Sequence, residues 1–294
     1  MSSYSLYRCA VLSVSTSSLD KVLDRNSPIQ ILRATIHVDG QSYSDGLNMN
    51  PEQFYEWINA HPAGEASTEP PDSDTIRQTF RQLKAQGYHQ AIVTTPCREL
   101  SETYRMIAAV AGELAGELEI HVFDTGTLCM PEGFFALEAL RLLEQDIAPA
   151  DIVTYLEQLR PLSQIIFSVD SVQHIMKKTV FSRLGGALAD WLQIKPILRF
   201  QNSKLEHVGN SRTTETALDE IVQTVAAALT NQNIEAYGLY CGNPALYDHF
   251  ADKLYQATGL QLSGYPVSPA VGVYIGPNAV GVGIVEKLPL VRSH

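Results

Sequence analysis

The chain has 294 residues, room for one large domain or two of ordinary size, and its 45% hydrophobic and 18% charged content excludes a disordered polypeptide. With 32 acidic against 21 basic residues the formal net charge is -11, which argues against nucleic acid or an anionic membrane surface as partner. No apolar run approaches the roughly 18–20 residues of a membrane span.

The opening stretch, MSSYSLYRCAVLSVSTSS, holds one Arg and no apolar segment of signal-peptide length. It contains the first predicted strand, Arg8 to Val14, and a second is predicted from Ile29 to Val38. Next comes EASTEPPDSD (Glu65 to Asp74), read as a proline-bounded loop that presents Ser67 and Thr68 ahead of a helix. In that helix, SDTIRQTFRQLKAQG, Ile76, Phe80 and Leu83 share one face and Gly87 provides the stop. A strand at Gln90 to Thr95 leads into TTPCRELSETY, where Thr95 closes the strand and Ser101 and Thr103 open the next helix.

The alternation continues with a strand at Leu118 to Asp124 and the helical stretches FFALEALRLLEQ and ADIVTYLEQLR. Further strands are predicted at Gln164 to Val169, Lys195 to Phe200 and Ile234 to Cys241, with helices in ETALDEIVQTVAAALTN and PALYDHFADKLYQATG. Strands separated by helices predict parallel crossovers and an α/β class. The number of units favours two α/β domains, residues 1–160 and 161–294, with the boundary at the proline-bearing stretch near residue 160.

Familiar chemistry is missing. There is no GxxxxGK[ST], GVGIVE fails the GxGxxG spacing, and GxSxG is absent. The histidines show neither HxH nor HxxxH spacing, so no metal site is expected. Cys9, Cys97, Cys129 and Cys241 form no CxxC pair, which fits a reduced, cytoplasmic setting. What remains is hydroxyl-rich. In an open α/β sheet ligands sit outside the carboxyl ends of the strands, where free helix N–H groups favour an anionic head group. On spacing alone Ser67, Thr68 and Ser101 fit equally well as helix caps and turn formers. The stretch VSPAVGVYIGPNAVG, Val267 to Gly281, has three glycines and no charge; it reads as a tight turn or a pocket wall rather than a phosphate cradle.

Taken together and in order, these stretches resemble the DegV family of bacterial fatty-acid-binding proteins. HVDGQSYSDG resembles the early strand and its turn, STEPP stands at the TSQPS loop, and TTPCRELSETY is similar to SSxLSGTY. VFDTGTLCMPEG, FSVDSVQHIMKK, LQIKPIL, GNSRTTETAL and VGVYIGPNAVGVG follow at the family's later motifs. The resemblance implies two α/β domains holding a long-chain, palmitate-like fatty acid between them, with no cofactor and no catalysis. It implies a carboxylate held by Ser67 or Thr68 and by Ser101, with Thr95, Arg212 and Tyr274 completing the set, and the Gly-Pro stretch closing the polar end. Alternatives are a Ser101 nucleophile acting on an acyl chain and a relative that binds a different small ligand.

Several positions depart from the pattern. Glu69 and Glu102 add charge beside the expected anion site, with Arg98 or Arg212 as candidate partners, and Tyr274 stands where the family has His. Well-studied members present the bound acid to a separate kinase. Here Lys178–Thr179–Val180 replaces the GGR segment, which weakens the case for that partner.

Overall fold

The structure is a computed structural model that describes residues 6–176, 194–229 and 233–289. From the N-terminus come β1 (Cys9–Val14), β2 (Gln30–Leu32), β3 (Thr35–Val38), β4 (Gln41–Ser44), α1 (Pro51–Ala60) and β5 (Ala66–Glu69). They are followed by α2 (Ser73–Ala85), β6 (Gln90–Thr95), α3 (Thr103–Glu113), β7 (Glu119–Asp124), α4 (Cys129–Leu143) and α5 (Pro149–Leu159). The chain continues through β8 (Ser163–Ser168), α6 (Gln173–Met176), β9 (Lys195–Gln201), β10 (Lys204–Ser211) and α7 (Thr214–Ala228). Last come β11 (Ile234–Tyr240), α8 (Pro244–Thr258), β12 (Gly264–Pro266), α9 (Pro269–Ile275) and β13 (Val280–Glu286).

The first sheet, ordered β2-β1-β6-β7, is parallel throughout. Strands buried on both faces need apolar runs, and β1 and β6 supply them. Ile76, Phe80 and Leu83 of α2 and Ile107 and Val110 of α3 cover one face. The other face receives α4, which also packs on β8, β11 and β13 of the second sheet. A helix between two sheets must be apolar nearly all round, and that explains why FFALEAL buries almost every residue. The second sheet, β10-β9-β8-β13-β11-β12, carries α7 and α8 on its far face. The whole is a mixed α/β fold of five layers, helix–sheet–helix–sheet–helix.

Two expectations about the strands need correction. The run Ile29 to Val38 is not one strand: it breaks at Arg33–Ala34, and β3 joins a small antiparallel sheet ordered β4-β3-β5. Arg33 is held at the break by Asp20 (2.6 and 2.9 Å) and by the Asp45 carbonyl (2.7 Å). The second sheet is mostly antiparallel, with β11 and β12 as its parallel pair. One of its reversals is a hairpin: Asn202 and Ser203, at φ 51° and 60°, turn β9 directly into β10, while the antiparallel pairs of β13 are reached through helices.

The Gly-Pro stretch is not a loop throughout. It folds into α9, a turn at Gly276 (φ 78°), and then β13 in the middle of the second sheet. In β13 the alternate residues Gly281 and Gly283 leave room for neighbours. A Cβ on Gly283 would sit 2.3 Å from Pro131 of α4, and one on Gly281 2.4 Å from the Ile166 carbonyl. α9 in turn packs against α1 and β5, far upstream in sequence.

Candidate binding cleft

The cleft starts where β6 ends. After Thr95 the chain runs through Pro96–Glu102 before α3 begins, and the buried Asp124 ties this segment down. Its Oδ1 accepts from the N–H groups of Arg98 (3.2 Å) and Gly126 (3.0 Å), and its Oδ2 lies 3.4 Å from Arg98 Nε. The segment thus holds Leu100 and Ser101 towards α9, with Ser101 Oγ accepting from the Thr103 N–H at 3.2 Å. That bond closes a short serine turn just ahead of α3, whose N-cap, Glu102, makes no side-chain cap bond.

The opposite wall is built from β5 and α9. Thr68, half-buried on β5, hydrogen-bonds through its hydroxyl to the Tyr274 hydroxyl on α9, a contact spanning 206 positions of sequence. Around them Thr16, Ala34, Pro70, Arg98, Ser101 and Leu128 complete a partly open mouth of about 520 Å³. The mouth is therefore rich in hydroxyls, with guanidinium groups at its edge.

Behind it lies a second space of a different character. A narrow chamber of about 60 Å³ is walled by Cys129, Ile165, Phe167, Phe200, Leu239 and Val280, among other apolar side chains. No polar atom contributes to its surface. It sits between the N-terminal face of α4 and the inner face of the second sheet. Leu100, Leu128, Val271 and Ile275 border both spaces, so mouth and chamber meet across these four side chains. Cys129, in the left-handed region at φ 57°, starts α4 at the chamber wall.

The residues singled out from the sequence separate into two groups. Thr68, Ser101 and Tyr274 come together at the mouth. Ser67, Thr95 and Arg212 do not line it. Ser67 follows the strand alternation to the other side of β5, where it is exposed and stands opposite His37. Thr95 is wholly buried and its hydroxyl bonds the Phe123 carbonyl at 3.2 Å, locking β6 to β7. Arg212 is exposed between β10 and α7. The glutamates find other partners than Arg98 or Arg212: Glu69 lies 3.4 Å from His37 Nε2, and Glu102 2.5 Å from Arg105. Residues 178–180, where the GGR segment would stand, lie outside the described residues.

Thr16 was not foreseen. It belongs to the turn Ser15–Ser17 directly after β1, and its hydroxyl lies 2.9 Å from Oε1 of the fully buried Glu132. The available signals were a hydroxyl run, STSS, where a strand ends, and a lone acid in the apolar stretch CMPEGFF. Burial pushes the Glu132 carboxyl up well above the usual range, with Asp45 and Asp124 adding to the shift. Asp45, at the base of α9, is pushed up to about 6 by burial and accepts from the Ala270 N–H at 3.4 Å.

Fold and cleft together define a class: a two-part α/β protein with an apolar internal chamber behind a hydroxyl-lined mouth. The family model DegV, described as "Uncharacterised protein, DegV family", matches residues 8–287, and the chain belongs to that family. A DegV domain-containing protein of Listeria innocua is 27% identical over 282 residues, covering 94% of this chain and 97% of the relative. Among solved structures, a fatty acid binding DegV family protein from Streptococcus agalactiae aligns with TM-score 0.86 at 20% identity, covering 95% of this chain and 99% of that one. A protein from Eubacterium ventriosum described as binding stearic acid aligns with TM-score 0.85 at 18% identity, covering 94% and 98%. These likenesses establish the two-domain α/β fold. Among the described residues no helix is long and apolar enough to cross a membrane.

Proposed function

We propose that this chain binds one long-chain fatty acid, or a lipid of similar shape, non-covalently between residues 1–160 and 161–294. The observation that carries the reading is the junction of the apolar chamber with the polar mouth at Leu100, Leu128, Val271 and Ile275. The mouth, at about 520 Å³, falls in the usual range for small-ligand sites, and the chamber behind it is narrow, about 60 Å³ as it stands. The chamber's apolar surface suits an acyl tail and offers nothing to a sugar or a nucleotide. The hydroxyls of Thr68, Tyr274 and Ser101 stand where a carboxylate would leave the tail.

Magnitudes assign the roles. Burying a tail of ~16 carbons supplies roughly 12 kcal/mol gross, at about 0.8 kcal/mol per methylene. Association and ordering remove about 4–15 kcal/mol. Each hydroxyl bond to the carboxylate contributes about 1.5–3 kcal/mol and mainly offsets its desolvation. The tail therefore sets affinity and the head group sets orientation.

The protein is read as a carrier or presenter of its ligand rather than an enzyme. A serine nucleophile needs a base within hydrogen-bond reach. The Ser101 hydroxyl pairs instead with Thr103 Oγ1 at 2.8 Å, and no histidine lines the mouth among the described residues. A cytoplasmic setting rests on the cysteine pattern of the sequence, and hand-over to a fatty-acid kinase on the resemblance alone, weakened by the replaced GGR segment. Organic extraction and mass spectrometry of protein purified from bacterial cells are expected to yield about one long-chain fatty acid per chain. Recovery of a polar metabolite in its place would overturn the reading.

A further inference from the structure

One buried group behind the mouth has no role in the account so far. Glu132, on the first turn of α4, is fully buried, and its Oε2 has no hydrogen-bond partner. Its Oε1 lies 2.9 Å from Thr16 Oγ1, and Thr16 borders the mouth. The charged groups facing it are acidic: Asp45 after β4 and Asp124 at the end of β7. Arg98, the cation beside Asp124, is already paired with it at 3.4 Å.

A threonine hydroxyl has one hydrogen to give. If the carboxyl is ionised, Thr16 must donate to it, and the mouth meets an oxygen lone pair with a negative charge behind. If the carboxyl is neutral, its O–H donates to Thr16, and the Thr16 hydrogen is free for the ligand. The two states offer opposite faces to a carboxylate.

Given the fatty-acid reading of the mouth, on which this step rests, we infer that Glu132 is a positioning residue: its carboxyl O–H donates to Thr16 and turns the Thr16 hydroxyl hydrogen towards the bound head group. Full burial, an Oε2 with no partner and the acidic neighbours Asp45 and Asp124 favour the neutral carboxyl over the ion, against the pull of a Thr16 bond donated to the ion. The same geometry that is costly for an ion is thus suited to a donor. Glu132 thereby contributes to the choice of a carboxylate, which only accepts, over a hydroxyl head group, which also donates.

The test is displacement of cis-parinaric acid by palmitate and by 1-hexadecanol from the wild type, Glu132→Gln, Glu132→Met and Thr16→Val, with thermal melting of each. Gln keeps a neutral donor and is expected to bind palmitate within about twofold of the wild type. Thr16→Val removes the donor itself and is expected to weaken palmitate about tenfold, the weight of one hydrogen bond to a charged group, with a smaller loss for hexadecanol. Met fills the volume of Glu132 without a donor and leaves Thr16 its hydroxyl but not its orientation, so it is expected to weaken palmitate about threefold and hexadecanol less. Equal palmitate binding by Glu132→Met and the wild type would overturn the inference, as would equal losses for both ligands in a variant of lowered melting temperature. A Gln variant binding palmitate about tenfold tighter than the wild type would also overturn it, by showing an ionised Glu132. Should the wild type bind neither palmitate nor cis-parinaric acid, the reading of the mouth falls and this inference with it.

Discussion

The mouth and the chamber solve opposite problems with different parts of the chain. The mouth is assembled from short polar segments, Ser15–Ser17, β5, Pro96–Glu102 and one face of α9, held by directed bonds such as Asp124 to the Arg98 N–H. The chamber is assembled from apolar residues of α4, β8, β9, β11, α9 and β13, and no polar group reaches its surface. Directed bonds fix a geometry but add little net energy, because each replaces a bond to water. Apolar burial is undirected but grows with every methylene. A ligand that uses both regions must be long, greasy and polar at one end.

The largest effect is expected where the two regions meet. Val271 borders both, and Val271→Trp should plug the passage. Losing about four methylenes from the chamber forfeits ~3 kcal/mol, so palmitate affinity should fall at least about 100-fold. A fluorescent fatty-acid titration measures this. Unchanged affinity would mean that the tail takes another route.

Of similar size, but on stability, is the effect at Asp45 beneath the mouth. Its folded-state value is raised from 3.8 to about 6, so between these the native protein holds a proton that the unfolded chain releases. Stability therefore falls as pH rises through that window, by about 3 kcal/mol for two units. Asp45→Asn keeps an acceptor for the Ala270 N–H and should gain roughly 2–3 kcal/mol at neutral pH, a gain that vanishes near pH ~4. Urea unfolding at both pH values reads it. Equal destabilisation at both would show that Asn fails to replace the packing and bonds of Asp45 and that buried charge is not what costs stability.

Thr68→Val isolates the head group. It should weaken palmitate about tenfold and leave 1-hexadecanol within about twofold, since one hydroxyl bond to the charged group is lost. Equal losses for the two ligands would place Thr68 in packing rather than recognition.

The smallest effect is expected from the glutamates at the rim. Glu69 and Glu102 have side chains 69% and 67% exposed and face His37 and Arg105, so solvent and partners screen them. Glu69→Gln with Glu102→Gly should tighten palmitate binding by only about twofold, and less at high salt, in keeping with exposed ion pairs. A tenfold change either way, in titrations at two salt concentrations, would mean that their charges reach the ligand.

The same contrast governs what could be read from the sequence. β1, β6 and β7 with α2 and α3 were legible because each is a contiguous run with its own periodicity, and Gly87, at φ 90°, marks the stop of α2 as expected. β4, QSYS, is half exposed and carries no apolar alternation. Its hairpin signal was the Asp39–Gly40 pair, both at positive φ. α1 carries clear sequence marks: the Asn50 capping box, Pro51 at its first position, and Phe54, Tyr55 and Ile58 on one face. At the mouth, hydroxyls at strand ends pointed to Thr68 and Ser101, but strand alternation, which sends Ser67 away, was invisible while β5 was read as a loop. The chamber was illegible for a deeper reason. A leucine that lines a cavity and one that fills a core have the same sequence signature, and only the packing of α4 between two sheets separates Leu239 from its buried neighbours.

The central claim is that the tail sets affinity in the chamber and the carboxylate sets orientation at the mouth. The most direct test is isothermal titration of the delipidated protein with saturated acids from decanoate to stearate, each paired with its methyl ester. Affinity should rise by up to about fourfold per methylene until the chamber is full. Each ester should be weaker than its acid by one similar factor at every length, about tenfold. Affinity that ignores chain length, or an ester penalty that disappears as the chain grows, would contradict the account.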